Sequence, residues 1–350
     1  MLTRYGPLGA SSRVRMMQYR SSLEAAGFRV EVSSFFCDEY VRQLYADGRR
    51  RPWPITLAYL GRFAALIRAR RAGVVWLEKE ALPFLPGGLE RLFARSGAAL
   101  VLDYDDAVFH RYDQHQSPLV RRLLGRKLFP LLRAARLVTA GSAYLRDYAQ
   151  AAGAPRVELI PTVVDLDRYP LMPEGPDGEL RIGWIGSPQT AACYLGELAA
   201  PLQRLARVRA LRFVAIGAGP PPALGVPIES HPWSAATEGT LLASIHLGVM
   251  PLPDAPFERG KCGYKLIQYC ASGRPVVASP VGVNAEIVTP DVGMIASGPD
   301  EWFAALKRLA DDPTLRARLG SAGRRKVAEH YSLAAVAPRV VRLLGEAGRC

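Results

Sequence analysis

A chain of 350 residues is about twice the usual domain size, so two domains are expected, each long enough to bury its own core. A composition of 49% hydrophobic and 22% charged residues excludes a disordered chain or a fibre. The unusual quantity is charge: 45 Lys plus Arg against 32 Asp plus Glu leaves +13, which calls for an anionic partner such as nucleic acid, an acidic membrane surface or phosphorylated small molecules.

Five cysteines, Cys37, Cys193, Cys262, Cys270 and Cys350, are scattered and contain no Cys-x-x-Cys. That usage fits a reducing cytosol and offers neither a disulfide framework nor a zinc site. The start has no apolar signal core, and no apolar run approaches the ~20 residues of a membrane span, so a cytoplasmic location is expected.

Short apolar, β-branched runs alternate with helical-period segments throughout, the pattern of parallel α/β sheets. Only five residues precede the turn Gly6-Pro7-Leu8-Gly9, so the first strand is very short or the true start lies upstream. A helix follows from Ser11 with Ser12 as N-cap. Its first turn carries Arg13 and Arg15, suited to an anionic ligand, beside glycine-loop N–H groups that suit a phosphate. Strands are then predicted at Arg29–Val32, Val74–Leu77, Ala99–Tyr104, Leu137–Ala140 and Val157–Ile160.

Residues 1 to 175 hold 26 Lys plus Arg and 17 Asp plus Glu, a net of +9; the rest hold 19 and 15, or +4. Much of the excess lies in Arg49-Arg50-Arg51-Pro-Trp53 and a helical pattern from Ile55 to Arg71. Leu57, Leu60, Ala64 and Ile67 recur there at helical spacing, with Arg62, Arg68, Arg70 and Arg71 between or beyond them. Such a helix lies in an anionic membrane interface or turns its stripe to an ordinary core; both readings stay open. No recognition helix, RNA motif or zinc module supports nucleic acid as partner.

Glu78-Lys79-Glu80 ends one strand and is either an acceptor contact or a solvated cluster. Asp103-Tyr104-Asp105-Asp106 closes another, with His110 after it. A hard-cation site, acceptor binding through Asp105, Asp106 or His110, and simple helix capping all fit, with acceptor binding favoured and a metal least.

Tyr169-Pro-Leu-Met-Pro-Glu-Gly-Pro-Asp-Gly178 is dense in Pro and Gly and reads as the linker. The expected division is a first domain at 1–168, a linker at 169–179, a second domain at 180–332 and a terminal helix at 333–350 packing back toward the first domain. Strands of the second half are predicted at Arg181–Ile185, Leu211–Ile216, Ile228–Ser230, Leu247–Pro251, Pro275–Ala278 and Gly293–Ala296. The fold expected is two Rossmann-like, doubly wound parallel-sheet domains facing a central cleft, with ligands in the loops after strands.

His231-Pro-Trp233-Ser234 follows a strand, so Trp233 would flank a base or simply pack; Glu238, Asn284 and Glu286 would touch a ribose or cap helices. From Met250 a strand leads to a Pro-rich loop with Asp254, Glu258, Arg259 and Lys261, then to a helix beginning near Gly263. A helix N-terminus attracts anions, and Lys265 in its first turn completes a diphosphate cradle. Gln268, three residues on, is placed to hydrogen-bond ribose hydroxyls.

Ala271-Ser-Gly273-Arg-Pro275-Val-Val-Ala278 and the segment Gly282 to Val288 resemble the donor site of GT-B-fold retaining glycosyltransferases of family 4. Gly6 to Arg15, Pro161-Thr-Val-Val-Asp165 and Trp184-Ile-Gly186-Ser187 resemble further segments of that family. The resemblance implies a same-face hexosyl transfer from a nucleotide-diphosphate sugar, with no metal or other cofactor, onto a glycan or lipid-linked acceptor. Bacterial surface polysaccharide or glycolipid assembly is the implied setting, with a peripheral place at the inner face of the membrane.

It implies Lys265 and His110 as catalytic residues, His110 touching the donor sugar. Donor binding would fall to Gly9, Gly186, Ser187, Thr190, Gly217, Trp233, Glu258, Gly263, Tyr264 and Gln268, and acceptor binding to Arg13, Arg15, Asp105 and Asp106. Two departures stand out. The family's paired glutamates would fall on Gly260 and Gln268, and the basic pair of the first donor-domain loop is replaced by neutral Ser187-Pro-Gln-Thr190. An inactive nucleotide-sugar-binding protein and a sugar-nucleotide epimerase are the alternatives.

Overall fold

The computed structural model describes residues 1–48, 52–94, 97–173 and 178–349. The chain forms two compact units. One is Met1–Thr162 with Arg259–Cys262 and Val336–Cys350, and the other is Val163–Glu258 with Gly263–Ala335. Arg49–Arg51 and residues 174–177 of the expected linker lie outside the described residues.

The first unit is built on a six-stranded parallel sheet. Its strands are β1 (Leu2–Tyr5), β2 (Ser33–Phe36), β3 (Val74–Glu78), β4 (Ala99–Tyr104), β5 (Leu137–Ala140) and β6 (Val157–Leu159). They lie in the order β2-β1-β3-β4-β5-β6, which reverses direction of winding between β1 and β3. Central strands such as β5 are buried along their whole length, as a parallel sheet covered on both faces requires.

The second strand is displaced from the expected Arg29–Val32 to Ser33–Phe36. Its aromatic pair decides the matter: Phe36 stacks on Tyr40 at 4.2 Å, and Phe35 meets Tyr59 edge-on at 5.1 Å. Ser12 is not the N-cap of the first helix. Gly9 takes that position for Ala10–Arg15, while the Ser12 hydroxyl accepts from Tyr5 N at 2.9 Å and donates to Glu78 Oε2 at 2.6 Å.

The end of the helix Leu333–Gly348 packs within the first unit, where Arg136 donates to Ala347 O at 2.9 Å and Arg339 pairs with Glu158 at 2.7 Å.

In the second unit, β7 (Leu180–Ile185), β8 (Leu211–Ile216), β9 (Ile228–His231), β10 (Leu247–Met250), β11 (Val276–Ala278) and β12 (Gly293–Ile295) form another parallel sheet. Its order is β12-β11-β10-β7-β8-β9, so the winding reverses between β10 and β7. Leu180, Ile182 and Trp184 face one apolar core while Ile185 faces the other, which gives the sheet a core on each side.

The β7–β10 pairing runs only to Gly183 and Gly248, and beyond it the Tyr269 hydroxyl spans the two strands. That hydroxyl accepts from Ile185 N at 3.1 Å and donates to Val249 O at 3.2 Å. Gly248 makes room for the tyrosine ring, which a side chain there would strike. Among the described residues, no helix is long and apolar enough to cross a membrane.

Candidate active site

Open α/β sheets bind ligands beyond the carboxyl ends of their strands, at the point where winding reverses. In the second unit that point lies beside the turn after β7. The Lys265 ammonium sits there, 4.6 Å from the centre of the Trp184 ring. A Cβ on Gly186 would stand 2.5 Å from Lys265 Nζ and would also strike the Trp184 ring, so only glycine leaves the ammonium its seat.

Gly217, at φ +73°, ends β8 beside it: a Cβ there would meet Gly186 O at 2.5 Å and Trp233 Cβ at 3.0 Å. Four expected donor-side residues, Gly186, Gly217, Trp233 and Lys265, therefore converge. Gly263 adopts φ +65° as N-cap of the helix Tyr264–Ala271, and this turn brings Lys265 and the first N–H groups of the helix to that spot.

Trp233 is anchored from behind. Its Nε1 donates to Glu238 Oε2 at 2.7 Å, and Glu238 Oε1 accepts from the Tyr169 hydroxyl at 3.0 Å and from Arg168 at 3.1 Å. Gln268 Nε2 donates to the Tyr169 hydroxyl at 3.1 Å. Gln268 and Glu238 are both buried, so each belongs to the support of the Trp233 loop. Burial raises the Tyr169 phenol well above its ordinary range and keeps it a hydroxyl donor.

Ser187 and Thr190 form a reciprocal capping box at the start of the helix Pro188–Tyr194: Ser187 N donates to Thr190 Oγ1 at 3.1 Å, and Thr190 N donates to Ser187 Oγ at 3.4 Å. Their hydroxyls hold the turn that carries Gly186. Glu258 Oε1 accepts from the Tyr194 hydroxyl at 2.7 Å. Asn284, buried, donates to Ser279 O at 3.0 Å and stabilises its own turn.

In the first unit the winding reverses at β1 and β3, where the glycine loop and Glu78-Lys79-Glu80 stand. Gly6 and Gly9 lie where side chains would collide with Asp38 and Tyr5. Arg13 donates to Pro7 O at 2.8 Å and so braces the same loop.

Arg15 departs from the expected acceptor role. It is buried, pairs with both carboxylate oxygens of Asp103 at 2.7 and 3.0 Å, and donates to Ile160 O at 2.7 Å. Thr139 completes the arrangement with a 2.6 Å hydrogen bond to Asp103. This ion pair ties the first helix to the sheet.

Glu78-Lys79-Glu80 is buried, neither an exposed acceptor contact nor a solvated cluster. Lys79, in the left-handed region at φ +61°, reaches Asp105 Oδ1 at 2.8 Å, Ser11 Oγ at 2.9 Å and Asp106 at 3.7 Å. Ser11 also donates to Asp105. Burial opposes ionisation of Asp105, but Lys79 and Arg15 outweigh it and hold the carboxyl below its usual value. Lys261 stands 3.8 Å from Asp106. The aspartates expected to face an acceptor are thus met by lysines.

Gly260, where the family's first glutamate would fall, is pressed against Ala107. A Cβ there would lie 2.6 Å from Ala107 Cβ and 2.9 Å from its nitrogen, so the backbone position itself refuses a glutamate. His110 is held at both nitrogens, Nδ1 to Asp113 Oδ1 at 2.8 Å and Nε2 to the Tyr144 hydroxyl at 2.7 Å. Those two contacts fix the ring's orientation.

Trp184 as the platform for Lys265, Tyr169 and Glu238 as anchors of Trp233, and Lys79 as partner of Asp105 were not assigned from sequence. An aromatic residue at the last positions of a buried strand is the available signal for the first; Tyr169 and Lys79 depend on contacts distant in the chain.

Two doubly wound parallel sheets, with a lysine-bearing helix N-terminus at the second reversal, define a GT-B α/β protein. Residues 14–168 match the model of Glycosyltransferase Family 4, and residues 179–312 match that of Glycosyl transferases group 1. The chain belongs to this group 1, family 4 class of glycosyltransferases.

Among curated relatives, it is 41% identical over 80 residues to the MMP alpha-(1->4)-mannosyltransferase of Mycolicibacterium hassiacum, a match over 21% of this chain and 19% of that protein. It is 34% identical over 84 residues to the GDP-mannose-dependent monoacylated alpha-(1-6)-phosphatidylinositol monomannoside mannosyltransferase of Corynebacterium glutamicum, over 23% of this chain and 22% of that protein. The match thus spans about a fifth of each relative's length. In fold, the chain superposes on sucrose-phosphate synthase from Thermosynechococcus elongatus with a TM-score of 0.70 at 15% identity, covering 98% of this chain and 95% of that one.

Proposed function

We propose that the protein transfers a hexose from a nucleotide-diphosphate sugar to an acceptor hydroxyl with retention, in the assembly of a bacterial surface polysaccharide or glycolipid. The observation that carries this reading is the Lys265 ammonium seated over Trp184 beside Gly186. As the bond from the anomeric carbon to the diphosphate breaks, its electron pair stays on the diphosphate. Lys265 and the N–H groups of its helix stabilise that charge in a fixed, preorganised geometry. The acceptor oxygen bonds to the anomeric carbon on the same face, and its proton passes to a phosphate oxygen of the leaving group.

Lys265 and the helix terminus hold the diphosphate in this reading, which calls for no metal. The mannosyl relatives make GDP-mannose the first donor to test. Lys265→Ala is expected to abolish measurable transfer and to weaken nucleotide affinity at least tenfold. Wild-type turnover and affinity in that variant would overturn the assignment.

Gly260 and Gln268 in place of the family's glutamates favour a second reading, a nucleotide-sugar-binding protein without catalysis. Binding with neither transfer, donor hydrolysis nor isomerisation across several acceptors would establish it.

A further inference from the structure

The helix Pro52–Ala69 turns its apolar stripe outward. Trp53, Leu57, Leu60, Ala64 and Ile67 follow one another at spacings of four, three, four and three, a single face of the helix. Trp53 is 70% exposed, Leu57 49%, Leu60 61% and Ile67 61%, and Ala64 is exposed with them. The core face is the opposite one, where Arg62, Ala65 and Leu66 are buried. Arg62 donates to Thr3 O and lies over the Phe35 ring at 5.6 Å, and burial lowers its guanidinium to about 10. The one inward arginine thus secures the helix to the sheet.

Charge identifies what the outward face meets. Arg68 in the last turn of the helix and Arg70 and Arg71 just beyond its end are all exposed. From Gly48 to Leu77 there is no acidic residue, against seven arginines: Arg49, Arg50, Arg51, Arg62, Arg68, Arg70 and Arg71. Two copies of this segment brought together would set arginines against arginines with no acidic residue of the segment to offset them, which disfavours self-association. An apolar stripe with a tryptophan at one end and exposed arginines at the other fits the headgroup boundary of an anionic bilayer.

The neighbouring loop has the same character. The Tyr59 hydroxyl donates to Pro83 O, and Phe84 beside it is 45% exposed. A pocket of about 530 Å³ lined by Gly87, Gly88, Arg121, Arg122 and Arg126 follows.

We propose that the outward face of the helix Pro52–Ala69 is a docking surface for an anionic lipid membrane, with Trp53, Leu57, Leu60 and Ile67 entering the interface and Arg68, Arg70 and Arg71 meeting lipid phosphates. This goes beyond the donor-site reading and does not depend on it.

The test is co-sedimentation of the full chain with phosphatidylcholine–phosphatidylglycerol vesicles and with pure phosphatidylcholine vesicles, alongside nucleotide titration of the same samples. The wild type should partition onto the anionic vesicles and release as salt rises. Combined Leu57→Gln, Leu60→Gln and Ile67→Gln should lower partitioning about tenfold or more. Arg68→Gln, Arg70→Gln and Arg71→Gln should each lower it about fivefold. All six positions are exposed, so thermal stability and nucleotide affinity should stay at wild-type values. Equal partitioning of wild type and variants, or no partitioning of the wild type, would overturn the proposal. So would a wild-type dimer in sedimentation velocity that the triple Gln variant dissolves.

Discussion

Lys265 Nζ lies 4.6 Å from the centre of the Trp184 ring, a cation held on an aromatic face at the end of a buried strand. Its seat exists because Gly186 has no side chain. Gly186→Ala should therefore displace the ammonium and reduce nucleotide affinity about tenfold, with about 1–2 kcal/mol of stability lost to the Trp184 clash. Calorimetric titration with nucleoside diphosphate, set beside a denaturant melt, separates the two effects. Unchanged affinity would show that Lys265 does not need this position.

Glu238 receives three hydrogen bonds, from Trp233, Tyr169 and Arg168. Glu238→Ala strands those donors in a mostly buried setting and should cost about 2–3 kcal/mol, whereas Tyr169→Phe should cost about 1 kcal/mol. Because both act in one network, a double-mutant cycle should show coupling of at least about 0.5 kcal/mol. Strict additivity would mean that Tyr169 does not work through Glu238. Trp233 fluorescence should change with Glu238→Ala in the folded protein.

The Arg15–Asp103 pair is structural, so its loss should appear in stability and leave ligand affinity unchanged. Asp103→Asn should lower stability by about 3–5 kcal/mol by leaving a buried guanidinium short of its counter-charge. Nucleotide affinity of the folded fraction should be unaltered. A weakened acceptor KM with an unchanged melting curve would return Arg15 to the acceptor site.

Burial lifts the Glu90 carboxyl from its ordinary value of 4.5 to about 7, despite Lys127 nearby. The folded chain then keeps a proton that the unfolded chain has already released, so this group's contribution falls as pH climbs from about 4.5 to 7. Glu90→Gln is neutral throughout. The variant should match the wild type near pH 5 and exceed it by about 3 kcal/mol near pH 8, as the rise from 4.5 to about 7 implies. Urea melts at the two pH values decide it, and a gap that stays constant with pH would contradict the burial argument.

Strands rich in apolar and β-branched residues were legible in the sequence because a parallel sheet covered on both faces calls for them: β4, β5 and β8 fall where the pattern places them. The second strand slipped because its signal is a Phe35-Phe36 pair preceded by two serines, and aromatic packing across the edge outweighs the valines before it. The convergence of Gly186, Gly217, Trp233 and Lys265 was legible from their positions after strands. The fate of charges was not: Arg15, Arg62 and Lys79 look on paper like surface cations, and each is buried by a partner far along the chain. Helical periodicity reveals that a stripe exists, but only the rest of the fold decides which side faces inward. For Pro52–Ala69 that decision went to an arginine with a backbone carbonyl to bind.

The Tyr269 hydroxyl that joins β7 to β10 makes both of its bonds to main-chain atoms, one accepted from Ile185 N and one donated to Val249 O. Such a splint is indifferent to the identity of neighbouring side chains. The loops rising from these two strands can therefore exchange residues or lengthen over evolutionary time while the ground beneath them keeps its shape.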